Sequence, residues 1–159
     1  MSIIQTVKSS PLFYELYDDE ISSIVDKCRV LSLGAGEYVF EVGDTGDDIF
    51  LLLHGSAQVL VNDIEIAKLR KGDLFGEMAL LRDPLRHADI YVDHEASLLV
   101  LNADDIFRLF ESNNKLFSII MLNLSRMLAT RLKDAGGKIR SLSIENHELK
   151  SQIITKKSA

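Results

Sequence analysis

From Phe75 to Asp89 the chain reads Phe-Gly-Glu-Met-Ala-Leu-Leu-Arg-Asp-Pro-Leu-Arg-His-Ala-Asp, and this stretch concentrates the residue types that could do chemistry. Gly72-Asp73 ahead of it marks a turn. Gly76 lets the backbone take an unusual geometry, or lets a ligand approach closely. Glu77–Leu81 favour one turn of helix, which Asp83-Pro84 then stops. The open amide end of such a turn attracts an anion. Arg86 follows, and a guanidinium can clasp a phosphate through two parallel donors. Glu77 can accept a hydrogen bond from a sugar hydroxyl. These groups together describe a small cradle for a phosphorylated sugar. The same residues also admit a structural account, with Arg86 paired to Glu77 or Asp89 and Glu77 serving as an acid at a helix start.

Other candidates are weaker. His54, His87, His94 and His147 are scattered, with no His-x-His pair to build a metal site in a barrel. Asp47-Asp48 and Asp104-Asp105 read as a turn and a helix start, not as paired catalytic carboxylates. No Ser/His/Asp or Cys/His spacing suggests a nucleophile, so neither a catalytic set nor a metal is expected. Cys28 is the only cysteine, which rules out an internal disulfide and reads as a small apolar filler. The net charge of −6 argues against bulk binding to nucleic acid or anionic lipid, which needs a basic footprint. Arg126, Arg131, Lys133, Lys138 and Arg140 read as a solvated helix face. No signal peptide is visible, and no apolar run approaches the ~20 residues that span a bilayer, so a cytoplasmic location is expected.

Three zones must position the cradle. Residues 1–30 read as short helices, with Pro11 in a first turn and Asp18 and Asp19 as caps for an apolar set at Ile21, Ile24, Val25 and Cys28. Residues 31–102 alternate short β-prone runs with turns, notably a hairpin at Asn62-Asp63 and a half-buried strand at 88–92. Many short strands at regular spacing predict a mainly β fold, a sandwich or jelly-roll barrel with flanking helices. Residues 103–135 return to helix, with Asn102 as a cap and a long helix from about Lys115. Beyond it, 136–159 reads either as more helix or as a frayed tail. Met121, Ser125, Leu128, Leu132, Ala135, Ile139, Leu142, Asn146, Leu149 and Ile153 alternate in steps of four and three, a heptad seam that suits a coiled-coil homodimer or plain packing. Gly136-Gly137 interrupts it as a possible hinge or break, since two helical glycines cost ~2 kcal/mol relative to alanine.

Gly76-Glu77-x-Ala79-Leu80 followed by Arg86-x-Ala88 resembles the phosphate-binding cassette of cyclic-nucleotide-binding domains. Upstream, Gly36-Glu37, Gly43-Asp44 and Ile49-Phe50-x-x-x-x-Gly55 are similar to that family's ordered glycine landmarks, and the resemblance covers roughly residues 10–135. It implies a β-roll with flanking helices, and cyclic AMP or cyclic GMP as ligand rather than a cofactor. It implies Arg86 on the cyclic phosphate and Glu77 on the ribose 2′-hydroxyl. Backbone amides of Gly76, Met78, Ala79 and Ala88 would surround them, with His87 and Asp89 completing the ligand set. It further implies a last helix that moves when ligand binds.

The chain departs from the pattern twice. Leu85 stands where the family usually has proline, with Pro84 one place earlier. Asp89 stands where a Ser or Thr would donate to phosphate. A carboxylate ~5 Å from a phosphate at an effective dielectric of 20 is repelled by about 3 kcal/mol. Three readings of Asp89 stay open: it weakens phosphate binding, it faces away or pairs with Arg86, or it accepts from guanine. Only about two dozen residues follow Lys133, so no DNA-reading helix-turn-helix fits. The expectation is a non-enzymatic regulatory module that signals to a downstream partner through its C-terminal helix. The alternative is an interaction or oligomerisation module with a degenerate pocket.

Overall fold

The structure, a computed structural model, describes residues 2–157. Residues up to Leu124 form one compact unit and those from Ser125 a second.

The first unit opens with helix α1 (Ile3–Ser9), capped by the Ser2 hydroxyl, which accepts from the Gln5 amide at 3.3 Å. A 3-10 turn at Pro11–Phe13 leads to α2 (Asp18–Val25). Asp18 and Asp19 do not cap α2, as the sequence suggested; they lie inside its first turn, where the helix dipole still favours them. Tyr17 holds the cap position, and its amide donates to Glu20 Oε2 at 2.9 Å.

Eight strands follow: β1 (Arg29–Leu33), β2 (Tyr38–Phe40), β3 (Asp48–His54), β4 (Ala57–Val61), β5 (Ile64–Leu69), β6 (Leu74–Phe75), β7 (Asp89–Val92) and β8 (Ala96–Asn102). They form two antiparallel sheets, ordered β1-β8-β3-β6 and β2-β7-β4-β5. Strands β3 and β8 are the continuous apolar runs of the sequence, and Ile49–Leu52 and Leu98–Leu101 are buried. In β7 the alternation holds: Ile90 and Val92 point inward, Asp89 and Tyr91 are half-buried. Asn62 and Asp63 both take left-handed backbone angles (φ 51° and 62°), as a two-residue hairpin that matches strand twist requires. Phe50, Leu52, Phe75, Ile90, Val92, Leu98 and Val100 fill the space between the sheets, with Phe40 packed at its edge. This is the β-roll with flanking helices that the glycine landmarks implied.

Helix α3 (Ala103–Ser112) starts where Asn102 Oδ1 accepts from the Asp104 amide at 2.9 Å. Asn113 alone separates it from α4 (Asn114–Lys157), whose opening stretch belongs to the first unit and buries Leu116, Ile120 and Leu124. Asn123 is buried there, and its Nδ2 donates to the Leu12 carbonyl at 3.2 Å and the Tyr14 carbonyl at 2.7 Å. Asn123→Leu strips a donor from two carbonyls in an apolar setting, at about 1–3 kcal/mol for each one left unsatisfied. We expect a loss of at least about 2 kcal/mol in urea unfolding, whereas a surface change such as Glu111→Gln leaves the midpoint near wild type.

The second unit is the remainder of α4. It is helical without interruption at Gly136-Gly137, so neither the break nor the frayed tail is present among the described residues.

Candidate functional site

The cassette hangs between β6 and β7. Gly76 takes a left-handed backbone (φ 75°) and starts the expected turn of helix, which is a 3-10 turn at Glu77–Leu81. The turn is short because Arg82 also takes a left-handed conformation and ends it. Leu85 donates its amide to Asp83 Oδ1 at 3.1 Å, so an Asp-Pro turn carries the chain back towards the sheet. Arg82 lies over the Phe107 ring (3.8 Å to its centre) and pairs with Asp104 at 3.3 Å, which fastens the outer edge of the cassette to α3.

Arg86 enters the roll along a short ladder with the β2–β3 connection. Its amide donates to the Asp44 carbonyl and its own carbonyl accepts from Gly43, both at 2.8 Å, while Gly46 donates to Pro84 at 2.9 Å. The residue is 6% exposed. Nη2 donates to the Asp48 carbonyl at 2.8 Å, Nη1 makes a long contact (3.5 Å) with the Gly76 carbonyl, and the guanidinium lies 4.4 Å over Phe40. Among the described residues no carboxylate is within ion-pair distance of it. Burial pulls its pKa below the ordinary guanidinium value, while the acids at Asp48, Asp47, Asp44 and Glu77 act the other way. Arginine stays protonated in any case. The result is a buried cation with guanidinium donors held against backbone oxygen rather than a counter-charge.

Two glycines make room for it. A Cβ at Gly46 would sit 3.0 Å from Nη2, and one at Gly76 would sit 3.1 Å from Nη1 and 3.0 Å from the Asp48 carbonyl oxygen. Gly46 and Asp48 read in the sequence only as turn residues, and Phe40 carried no signal. Their place beside Arg86 comes from the β2–β3 connection pairing with residues 84–86 ahead of β7, which no local spacing signals.

The other expected site residues divide. Glu77 (8% exposed) and Ala79 are buried beside Gly76, and Met78 is half-buried. Ala88 is half-buried, just ahead of β7. His87 is exposed and its Nε2 lies 2.7 Å from Asp83 Oδ2, bracing the turn. Asp89 Oδ1 accepts from the Val42 amide at 2.7 Å, so its carboxylate ties β7 to the end of β2 and is not paired with Arg86. The His87 hydrogen bond, then that of the Leu85 amide, hold the Asp83 carboxyl below its usual range. A depressed carboxyl stabilises the fold above its unfolded pKa and loses that contribution as pH falls through the folded value. His87→Ala is therefore expected to move the Asp83 titration, followed by carbonyl NMR, up towards the ordinary carboxylate value. A titration that does not move would separate the two side chains.

Asp48 links this site to its surroundings. Its carboxylate pairs with Arg29 at 2.8 Å and accepts from Asn102 Nδ2 at 3.4 Å, and Asn102 in turn caps α3. Burial, then the charge of Asp105, push the Cys28 thiol up to about 11, in keeping with an inert filler. No group of His, Cys, Asp and Glu among the described residues could hold a metal.

A family profile described as "Cyclic nucleotide-binding domain" matches residues 30–113. The chain is 33% identical over 134 residues to glutaminase 1 of Bradyrhizobium diazoefficiens, a match covering 84% of this chain and 22% of that protein. It is 35% identical over 101 residues to a cAMP-dependent protein kinase regulatory subunit of Emericella nidulans, covering 62% of this chain and 24% of that one. The chain thus spans about a quarter or less of these relatives. The crystal structure of Thermus thermophilus catabolite activator protein superposes with a TM-score of 0.72 at 28% identity, over 84% of this chain and 63% of that chain.

Proposed function

The chain belongs to the cyclic nucleotide-binding domain family, and from that premise we propose that it is a non-enzymatic regulatory module that binds cyclic AMP or cyclic GMP in its β-roll. The observation that carries this reading is the buried Arg86 guanidinium with no carboxylate partner among the described residues. A buried cation is stabilised by an anion that reaches it, and a cyclic phosphate brings one negative charge and oxygens spaced for a guanidinium fork. Arg86 takes the phosphate, exchanging the Asp48 carbonyl for phosphate oxygens. Glu77 accepts from the ribose 2′-hydroxyl, and amides of Gly76, Met78 and Ala88 complete the contacts, with that of Ala79 turning from the Gly76 carbonyl, to which it donates at 3.3 Å. His87 and Asp89 serve the frame, through Asp83 and Val42, rather than the ligand.

Release of the Asp48 carbonyl would give the ligand a route outward, through the Asp48 carboxylate to Arg29 and to the Asn102 cap of α3. The response is carried by α4, which must make different contacts in the two states for any signal to pass. Ligand recognition lies in 31–102, centred on 75–89, and the part of α4 beyond 135 serves self-association as a homodimer. A downstream protein receives the signal in the reducing cytoplasm.

Titration calorimetry of the full chain with cyclic AMP and with cyclic GMP tests the reading. Saturable heat with one of them at micromolar to sub-millimolar concentration supports it. Silence with both at millimolar concentration favours the second reading, a degenerate pocket with the function in the helix. The near-complete burial of Arg86 under Phe40 is the observation on that side.

A further inference from the structure

Strand β2 pairs with β7 only as far as Phe40 and Ile90, after a register shift. Past that point a side chain takes over. Asp89, next to Ile90, accepts from the Val42 amide through Oδ1 at 2.7 Å. A carboxylate acceptor makes this bond roughly twice as strong as a neutral one. The chain then runs on by main-chain ties: Gly43 donates to the Arg86 carbonyl, Gly46 donates to Pro84, and Thr45 bridges to Leu85. Residues 40–46 thereby cross Arg86 as a strap. At one end Phe40 lies 4.4 Å over the guanidinium, and at the other a Cβ on Gly46 would sit 3.0 Å from Nη2.

We propose that Asp89 is a positioning residue that pegs this strap shut, and that an anion gains Arg86 when the peg lets go and Phe40 swings aside. The inference deepens the reading of Arg86 as the phosphate-binding group and rests on it for its purpose, though not for the closure itself. Arg86 is buried, so an anion reaches it only if part of its cover moves. The inner cover resists movement: Phe50 and Asp48 stand on β3, which pairs with β8 and β6. The outer cover is cheap to move, because residues 41–45 are exposed and bury no core side chain. The ladder at Gly43 and Gly46 uses main chain only, so it survives loss of the Asp89 carboxylate, and opening begins at the Phe40 end. A peg that favours the closed form lowers the competent fraction, and apparent affinity falls by that fraction.

Reaction of the full chain with phenylglyoxal, which attacks guanidinium groups, reads the strap without any nucleotide. Peptide mass spectrometry follows Arg86 beside Arg108, whose side chain is exposed. In the native chain Arg86 should react much more slowly than Arg108. Asp89→Ala should raise the Arg86 rate about tenfold and leave Arg108 unchanged, the loss expected for one hydrogen bond to a charged group. Asp89→Asn keeps an acceptor oxygen in place and should restore most of the protection. Calorimetry should show Asp89→Ala binding its cyclic nucleotide about tenfold more tightly than the native chain. An unchanged Arg86 rate overturns the peg, and so does a rise shared by Arg108, which marks general loosening. A faster Arg86 with unchanged or weaker nucleotide affinity overturns the peg's hold over the ligand. A faster Arg86 with no heat from either nucleotide supports the strap and removes the cyclic nucleotide as its ligand.

Discussion

Arg86→Ala is expected to weaken cyclic-nucleotide binding by at least about 100-fold, near 3 kcal/mol, the upper end for a hydrogen bond to a charged group. The variant loses the buried cation and keeps the acids around it, so the recess left behind repels phosphate. Asp44, Asp47, Asp48 and Glu77 all act on the guanidinium in the native chain, and after the substitution nothing at that position answers them. Arg86→Lys keeps the charge but not the fork that spans Asp48 and Gly76, so it should fall between wild type and alanine. The fold should survive, because the substitution removes a hydrogen bond at 2.8 Å, a long one at 3.5 Å and a ring contact with Phe40 but leaves the main-chain ladder to Gly43 and Asp44 in place. Calorimetry with cyclic AMP and cyclic GMP, beside thermal unfolding of the same samples, separates lost binding from lost structure. A folded Arg86→Ala variant with wild-type affinity would remove Arg86 from the site and the proposed mechanism with it.

Gly55→Ala is expected to cost more than about 4 kcal/mol, which is exceptional for one methyl group and a large part of a typical domain's stability. Gly55 turns β3 into β4 with φ at +85°, and a Cβ there would lie 2.1 Å from the Glu95 carbonyl oxygen and 2.9 Å from Ala96 Cα. Both obstacles are backbone, so no rotamer change relieves the overlap. Relief requires the start of β8 to move away from the β3–β4 turn. Strand β8 pairs with both β1 and β3 and supplies Leu98 and Val100 to the interior, so the strain spreads through one whole sheet. Gly36→Ala is the control: its φ is +91° but nothing lies within 4 Å of the added carbon, leaving a left-handed penalty of roughly 1–2 kcal/mol. Urea unfolding of the two variants should differ by several kcal/mol. Equal midpoints would mean that the β3–β4 turn yields readily, contrary to the contacts around it.

The apolar runs at Ile49–Leu53 and Leu98–Leu101, the Asn62-Asp63 turn and the alternation at 88–92 were enough to specify short antiparallel strands, because side-chain period and turn chemistry are local properties. Gly76, Glu77 and Arg86 stood out as candidates for the same reason: a turn, an acid and a cation within a dozen residues. The helical spacing of α4 was equally legible, since it needs no knowledge of the rest of the chain. Locality also set the errors. Asp18 and Asp19 looked like caps because carboxylates favour both the cap and the first turn. For Asp89 three readings stayed open in the sequence, because its partner, the Val42 amide, lies 47 residues away. Only the pairing of the β2–β3 connection with residues 84–86 ahead of β7 decided that Arg86 would rest on the Asp48 carbonyl beneath Phe40, with Gly46 clearing its path. Contacts of that kind depend on how two sheets close around a shared core, and no run of neighbouring residues encodes them.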